Sequence, residues 1–227
     1  MTTYQTNAIA HGIGNSAVSS NWYSRPDDQK FLTLDDMLAY KKIDAQRMTS
    51  RTVDTHKIHI IGDYDEANPS RGGLRVEYRD DNMREHNNVP TNWSFGQLSQ
   101  LAGAPSGYLR DLPAPIAAEC IEWGLKYNRG KELIKVYGNQ TDGGELRAAT
   151  GPDYGRIFDW EILEPVKQLV DQSGGRWKIP GMMVGSNDGM AVYDPEIPVT
   201  MGTTTLFGSD RDVFVFLVDD RNPIEVG

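Results

Sequence analysis

Cysteine is nearly absent from this sequence: Cys120 stands alone in 227 residues. A single thiol cannot close an internal disulfide, so the fold must hold without cross-links, as in a reducing compartment. Histidine is scarce as well, with four in the chain, and no zinc quartet can be assembled from this set. There is no P-loop, no dinucleotide-binding glycine fingerprint and no Gly-x-Ser-x-Gly elbow. Acid–base and nucleophilic chemistry therefore have few candidates, and the expectation is a non-enzymatic protein without cofactor or metal. Long apolar runs are missing too. The strongest, Val213–Val218, falls far short of the roughly 20 residues that a membrane helix needs. Met1-Thr2-Thr3-Tyr4-Gln5 has neither the basic start nor the apolar core of a secretory signal, so a cytoplasmic protein is expected.

Positive charge is the other deficit. Lys and Arg number 23 against 32 Asp and Glu, a net of −9. The imbalance is uneven: residues 1–122 carry 12 basic and 16 acidic side chains, residues 123–156 carry 6 and 4, and residues 157–227 carry 5 and 12. Bulk acidity argues against a protein that coats nucleic acid indiscriminately, while leaving room for a local basic groove in the middle.

What is present reads as an α+β protein: a central, mostly antiparallel sheet covered by helices, with a helical, helix-turn-helix-like insertion at about 93–127. Residues 1–25 read as an irregular N-terminal arm. Residues 26–90 hold a helix and a strand pair. The helix is capped by Thr33, with Asp35 and Asp36 in its first turn and Leu34, Met37 and Leu38 on one face. The strands are His56–Ile61 and Leu74–Arg79, the latter alternating cleanly. Asp63-x-Asp65-x-x-Asn68 has the outline of a calcium loop, but Asn68 stands where glycine is needed and Leu74 where glutamate is. His56 and His59, three apart on a strand, would face opposite ways and so cannot chelate together. The polar stretch RDDNMREHNNVPTN separates this pair from residues 91–128, a helical subdomain.

Within that subdomain, WSFGQLSQLAGAPSGYLRDL has the spacing of a DNA-binding helix-turn-helix. Ser99 is the small residue, Gly103 the turn and Leu109 the buried aliphatic, so Ser106, Gly107 and Arg110 would face a groove. A purely structural hairpin is the alternative, favoured by charge because Asp111 cancels Arg110. In that reading Phe95, Leu98, Leu101, Tyr108, Leu109 and Leu112 face inward. A third helix runs from Ile116 to about Tyr127 and is apolar through Cys120, Trp123 and Leu125, with Cys120 expected in the core.

Residues 129–227 read as a hairpin, helix and sheet core forming one compact unit with the preceding parts. Glu132–Gly138 and Glu145–Thr150 flank an Asp142-Gly143-Gly144 turn. Asp159 starts a helix with Trp160, Leu163, Val166, Leu169 and Val170 at helical spacing. Thr203–Val218 reads as two strands closing on Gly208–Asp212. The second is apolar on both faces, which predicts a central strand covered on both sides by the helices at 94–127 and 159–172.

Three passages, NWSFGQLSQLAGAPSGYLRDLPAPIAAECIEWGLKY, LRAATGPDYGRIFDWEILEPVKQLVD and YDPEIPVTMGTTTLFGSDRDVFVFLVDDRNPIEVG, together resemble the DUF932 family of phage, prophage and plasmid proteins. The resemblance covers most of the chain after Trp93 and supplies no catalytic residues. It implies a place among replication, recombination and counter-defence proteins. It also implies further chain beyond Gly227, where Ile224-Glu225-Val226 looks like a strand being started.

Two functional readings follow. The first is a protein that binds or anneals single-stranded DNA in recombination or replication, working as a homo-oligomer. Arg129, Lys131, Lys135, Arg147 and Arg156 form the one locally basic region. Tyr137 and Tyr127 are available for base stacking, and Arg110 is a further contact. The second is a protein-interaction module, such as a counter-defence factor that docks its acidic last third on a host protein. A metal-dependent enzyme using Asp210 and Asp212 ranks third, since both belong to a charged turn.

Overall fold

A computed structural model describes residues 24–64, 73–80, 82–127, 132–140, 143–178, 183–185, 191–193, 198–202, 204–209 and 212–219. In chain order the strands and helices are β1 (Lys30–Phe31), α1 (Leu34–Arg47), β2 (Met48–Asp54), β3 (His59–Gly62), β4 (Leu74–Arg79), β5 (Glu85–Pro90), α2 (Asn92–Leu101), α3 (Ser106–Asp111) and α4 (Ala114–Tyr127). There follow β6 (Leu133–Asn139), β7 (Gly144–Thr150), α5 (Asp159–Gln172), β8 (Trp177–Lys178), β9 (Met183–Gly185), β10 (Ala191–Tyr193), β11 (Leu206–Gly208), β12 (Val213–Val215) and β13 (Val218–Asp219). The protein is α+β. None of the described helices is long and apolar enough to cross a membrane. The chain divides into two units, residues 46–156 and the remainder, so the boundaries fall at Gln46 and Ile157 rather than near 26, 91 and 129.

In the unit formed by residues 1–45 and 157–227, α1 and α5 lie against the three-stranded antiparallel sheet β1-β11-β12. Thr33 caps α1, its Oγ1 accepting from the Asp36 amide at 3.0 Å. That places Leu34 and Met37 in a core with Phe31, Leu163 and Leu206, onto which Val166, Val170, Val213 and Val215 pack. Lys41 lies within this helix and is buried. Its Nζ meets Asp159 Oδ2 at 2.8 Å and donates to the Ser209 carbonyl at 2.7 Å.

The expectation for Val213–Val218 needs correction. β11 and β12 do pair antiparallel, with Phe207 opposite Phe214. Yet the central, buried strand is β11, while β12 stops at Val215, is half-buried and has β11 as its one partner among the described residues. Its run is apolar on both sides for separate reasons. Val213 and Val215 pack toward the core, whereas Phe214 and Phe216 stack at 6.5 Å and the Arg25 guanidinium lies 5.4 Å from the Phe214 ring. The helices between 92 and 127 belong to the other unit.

In the unit of residues 46–156 the sheet order is β2-β6-β7-β5-β4-β3, antiparallel throughout except for the parallel pair β5–β7. Helices α2, α3 and α4 cover one face. Val53, Ile60, Val76, Ile134, Val136, Leu146 and Ala149 from the strands meet Phe95, Leu98, Leu109, Ala117, Ala118, Ile121 and Leu125 from the helices. Each buried Val, Ile, Leu or Phe among them contributes roughly 1.5–3 kcal/mol by leaving water. Two glycines set the helix spacing: a Cβ on Gly62 would sit 2.3 Å from the Ala114 carbonyl, and one on Gly124 would sit 2.2 Å from that of Ala102. The exposed edge of β3 is closed by α4, since Glu122 Oε2 accepts from the Ile60 amide at 2.7 Å. Such edge capping guards against pairing with foreign strands.

Two of these strands, β2 and β5, lie where no strand was expected. The stretch RDDNMREHNNVPTN contains β5, one of the inner strands of the sheet. Its inward residues are His86 and Asn88, both buried, so hydrophobic alternation is missing where the structure needs it.

Candidate binding surface

The basic hairpin expected to carry the function is β6–β7. Arg129 and Lys131 lie outside the described residues. Lys135 points away from the helices, paired in register with Thr52 and Thr150, and its Nζ donates to the Tyr154 carbonyl at 2.8 Å. Tyr137 is buried, and the Arg156 guanidinium lies flat against its ring, 3.9 Å from the centroid. Arg147 sits at the irregularity in the β6–β7 pairing, and its Nε donates to Glu145 at 3.0 Å. The structure thus brings Lys135, Tyr137 and Arg156 together on one side of the hairpin. Each of the described cations there is engaged by a carbonyl, a carboxylate or a ring. Strand β4 repeats the pattern: Arg75 is paired with Asp63 and Arg79 with Glu85.

Arg110 lies apart from this hairpin. Its Nη2 donates to the Asn92 carbonyl at 2.8 Å and to Asn92 Oδ1 at 2.7 Å, and its guanidinium rests 4.6 Å from the Phe95 centroid. Desolvation pulls its pKa below the usual arginine value. The side chain fastens α3 to the start of α2. The first helix is capped by Thr91, one residue before Asn92, and α3 is only six residues long. Leu109 is buried as expected, but Tyr108 is exposed. Ser106 and Gly107 open α3, and Gly103 takes φ 71° in the turn.

Of the acidic turn, Asp210 and Arg211 lie outside the described residues. Asp212 is held by both Arg25 nitrogens at 2.7 Å and by Ser209 Oγ at 2.6 Å. Both carboxylate oxygens are therefore occupied by protein donors. No group of three or more metal-binding side chains occurs among the described residues.

The strands missed in the sequence carry a buried polar network. Asp80 Oδ1 accepts from the amides of Asn82 and Arg84, each at 3.0 Å, and Oδ2 lies 3.0 Å from His86 Nε2 and 3.6 Å from Arg51 Nε. Tyr78 stacks on His86 at 5.1 Å and donates to Asn88 Oδ1 at 3.1 Å. The hydrogen bond from His86 is the chief reason that Asp80 titrates below the ordinary aspartate range, while burial pushes the Tyr78 phenol up. Arg51 stands on β2 and Asp80 just beyond β4, four strands away in the sheet order. In a flat sheet that is about 19 Å. Their contact shows that the sheet curls strongly, so the network closes its concave face. With His86 only 3% exposed, the network acts as a clasp between the strands.

The outward side of α4 is open to solvent. Ile116, Cys120, Trp123 and Tyr127 follow one another at intervals of four, three and four residues, which is one stripe of a helix. Trp123 is 67% exposed, Tyr127 62% and Ile116 49%, and Cys120 is exposed beside them rather than buried as expected. The Trp123 and Tyr127 rings meet at 4.3 Å between centroids. The opposite face explains the orientation. Ala114, Ala117, Ala118, Ile121 and Leu125 are buried, and their small side chains, with Gly124 against Ala102, allow the close approach to the sheet and to α2. The bulky residues are left outside. Tyr127 is thus exposed, as a stacking role would need, whereas the other tyrosine named for stacking, Tyr137, is buried. The signal in the sequence was a broadly apolar helix, interrupted only by Glu119, Glu122 and Lys126, which by pattern alone predicts extensive burial.

No protein-family model, no curated protein and no solved structure matches this chain.

Proposed function

We propose that this chain is a protein-interaction module whose working surface is the outward face of α4. The observation that carries the reading is the exposed Trp123–Tyr127 pair at the centre of a three-turn apolar stripe. Trp and Tyr are the side chains most enriched at interface hot spots, and an exposed contiguous apolar stripe with two aromatic rings in contact marks a contact site. Local charge points the same way. Residues 46–156 carry 14 basic and 15 acidic side chains, and the described cations of the β6–β7 hairpin are engaged within the protein. Next to the stripe, Glu119 and Glu122 add negative charge.

Single-strand DNA binding stays as the second reading on one specific ground. Trp123 and Tyr127 offer stacking rings, and Arg129 and Lys131 follow within four residues of Tyr127 in the sequence. Base stacking on exposed aromatics is worth roughly 1–3 kcal/mol per base.

Cys120, the chain's sole thiol, allows both readings to be tested at once. A maleimide–benzophenone attached there is irradiated once with lysate of the source cells and once with a labelled oligonucleotide. A protein adduct, whether to another protein or to a second copy, that disappears in the Trp123→Ala/Tyr127→Ala variant supports the proposal. An oligonucleotide adduct alone, or no adduct, overturns it.

A further inference from the structure

We infer that the α4 stripe pairs with the same stripe of a second copy, in an antiparallel two-fold contact; this rests on the protein-interaction reading above and names its partner. A two-fold interface requires that when residue i of one copy meets j of the other, j also meets i. The stripe satisfies this condition. Its spacing of four, three and four is unchanged by reversal, so running α4 against a second α4 sets Ile116 opposite Tyr127 and Cys120 opposite Trp123. Each large ring then faces a smaller side chain. A parallel pairing would put Trp123 on Trp123 and Cys120 on Cys120, bulk against bulk and gap against gap.

Charge complementarity selects the same arrangement. Glu119 and Lys126 lie along one flank of the stripe, seven residues apart. Glu119 is exposed and has no ion-pair partner among the described residues, whereas Lys126 already meets Glu122. The two-fold places the same flank of both helices side by side, with Glu119 of each copy about 3 Å along the axis from the level of Lys126 of the other, at 1.5 Å rise per residue. A Glu122–Lys126–Glu119 chain thus forms twice.

The area argues for a contact of modest strength. The exposed parts of Trp123, Tyr127 and Ile116 amount to ~400 Å² per copy, or ~800 Å² shared, against the 1,200–2,000 Å² typical of stable complexes. The pairing is therefore concentration-dependent.

Sedimentation equilibrium of the full chain from low to high micromolar concentration, combined with N-ethylmaleimide labelling of Cys120, tests it. The weight-average mass should rise from 25.3 kDa toward twice that value, and Cys120 labelling should slow several-fold over the same range. Trp123→Ala/Tyr127→Ala should stay at the single-chain mass with a constant labelling rate. Both rings are exposed, so its circular dichroism should match the native chain. Glu119→Lys should weaken the association, since it sets like charges together. A native chain that remains at 25.3 kDa throughout overturns the second-copy inference. So does a dimer whose Cys120 labels at an unchanged rate. The first of these leaves the interaction module intact if the benzophenone still captures another protein; if that adduct is also absent, both fall.

Discussion

Asn88→Asp probes the clasp directly, because the change swaps one nitrogen for one oxygen. Asn88 is 1% exposed and its amide nitrogen donates to the carbonyls of Asn139 at 3.1 Å and Gly144 at 3.2 Å. Its Oδ1 accepts from Tyr78, and it fills the notch left by Gly138, whose added Cβ would come within 2.9 Å of that oxygen. Asn88→Ala removes three buried hydrogen bonds at ~1 kcal/mol each and should cost about 3 kcal/mol at any pH near neutrality. The aspartate instead aims oxygen at two carbonyl oxygens, so the native state must keep it protonated. Holding an aspartic acid neutral at pH 7 against an unfolded pKa of ~3.9 costs about 4 kcal/mol, and a remaining lost donor adds ~1. The variant's folded pKa is raised, so the native state binds more protons than the unfolded chain and stability grows as pH falls. Between about pH 7 and about pH 5.5 its deficit should shrink by about 2 kcal/mol, at ~1.4 per unit, while that of Asn88→Ala stays flat. Urea unfolding at both pH values, read by hydrogen exchange in residues 133–150, measures this. An aspartate variant that tracks the alanine variant at both pH values would refute the hydrogen-bond assignment.

Three further outcomes follow from packing and charge. Gly124→Ala should destabilise the unit by about 2 kcal/mol in thermal unfolding, although alanine is the better helix former by ~1 kcal/mol, because its Cβ would lie 2.2 Å from the Ala102 oxygen. Lys41→Ala should cost about 3 kcal/mol, followed by Trp160 fluorescence, since it strips the buried partner from Asp159 and from the Ser209 carbonyl. In acid, burial raises the Glu122 pKa but is outweighed by Lys126 and the Ile60 amide, and Asp80 is lowered by His86, so both end below their ordinary values. The native state then holds fewer protons than the unfolded chain. Its stability is complete above about pH 5 and declines as pH falls through the lowered values, and Glu122→Gln with Asp80→Asn should flatten that decline in an acid titration followed by circular dichroism.

The parts of the fold legible in the sequence are those whose local pattern and tertiary role agree. Leu74, Val76 and Tyr78 alternate on β4, Thr33 caps α1, and Gly143 at φ 73° closes β6–β7, each a short-range signal. Strands β2 and β5 were illegible because their inward positions hold Thr49, Arg51, His86 and Asn88. These side chains are solvated by one another rather than by apolar neighbours, and no window of sequence reveals that. The surface was half legible. The apolar circumference of α4 was plain, but which side faces out depends on Gly124 meeting Ala102 and Ala114 meeting Gly62, pairs far apart in the chain. The basic residues were plain in the sequence, but the partners that engage them were not. Arg110, Arg147 and Arg156 have partners close enough to engage them, and only coordinates show it.

Salt separates the two functional readings by sign. A strand of DNA held by Z phosphate contacts loses affinity as salt rises, with a slope near −0.7Z in log–log form. Two copies of this chain each carry −9, with 17 acidic against 9 basic side chains outside residues 46–156. Their mutual repulsion is what added salt screens, over a Debye length that shrinks from about 30 Å at 0.01 M to about 10 Å at 0.1 M. The apolar contact of Trp123, Tyr127 and Ile116 is not weakened by that change, and the Glu119–Lys126 pairs at its flank lose at most ~1 kcal/mol each. Self-association measured by sedimentation should therefore strengthen between 0.01 and 0.1 M salt, and only then level off as the flanking pairs are screened. Association that falls monotonically from the lowest salt would mean that charge, not the aromatic stripe, holds the copies together.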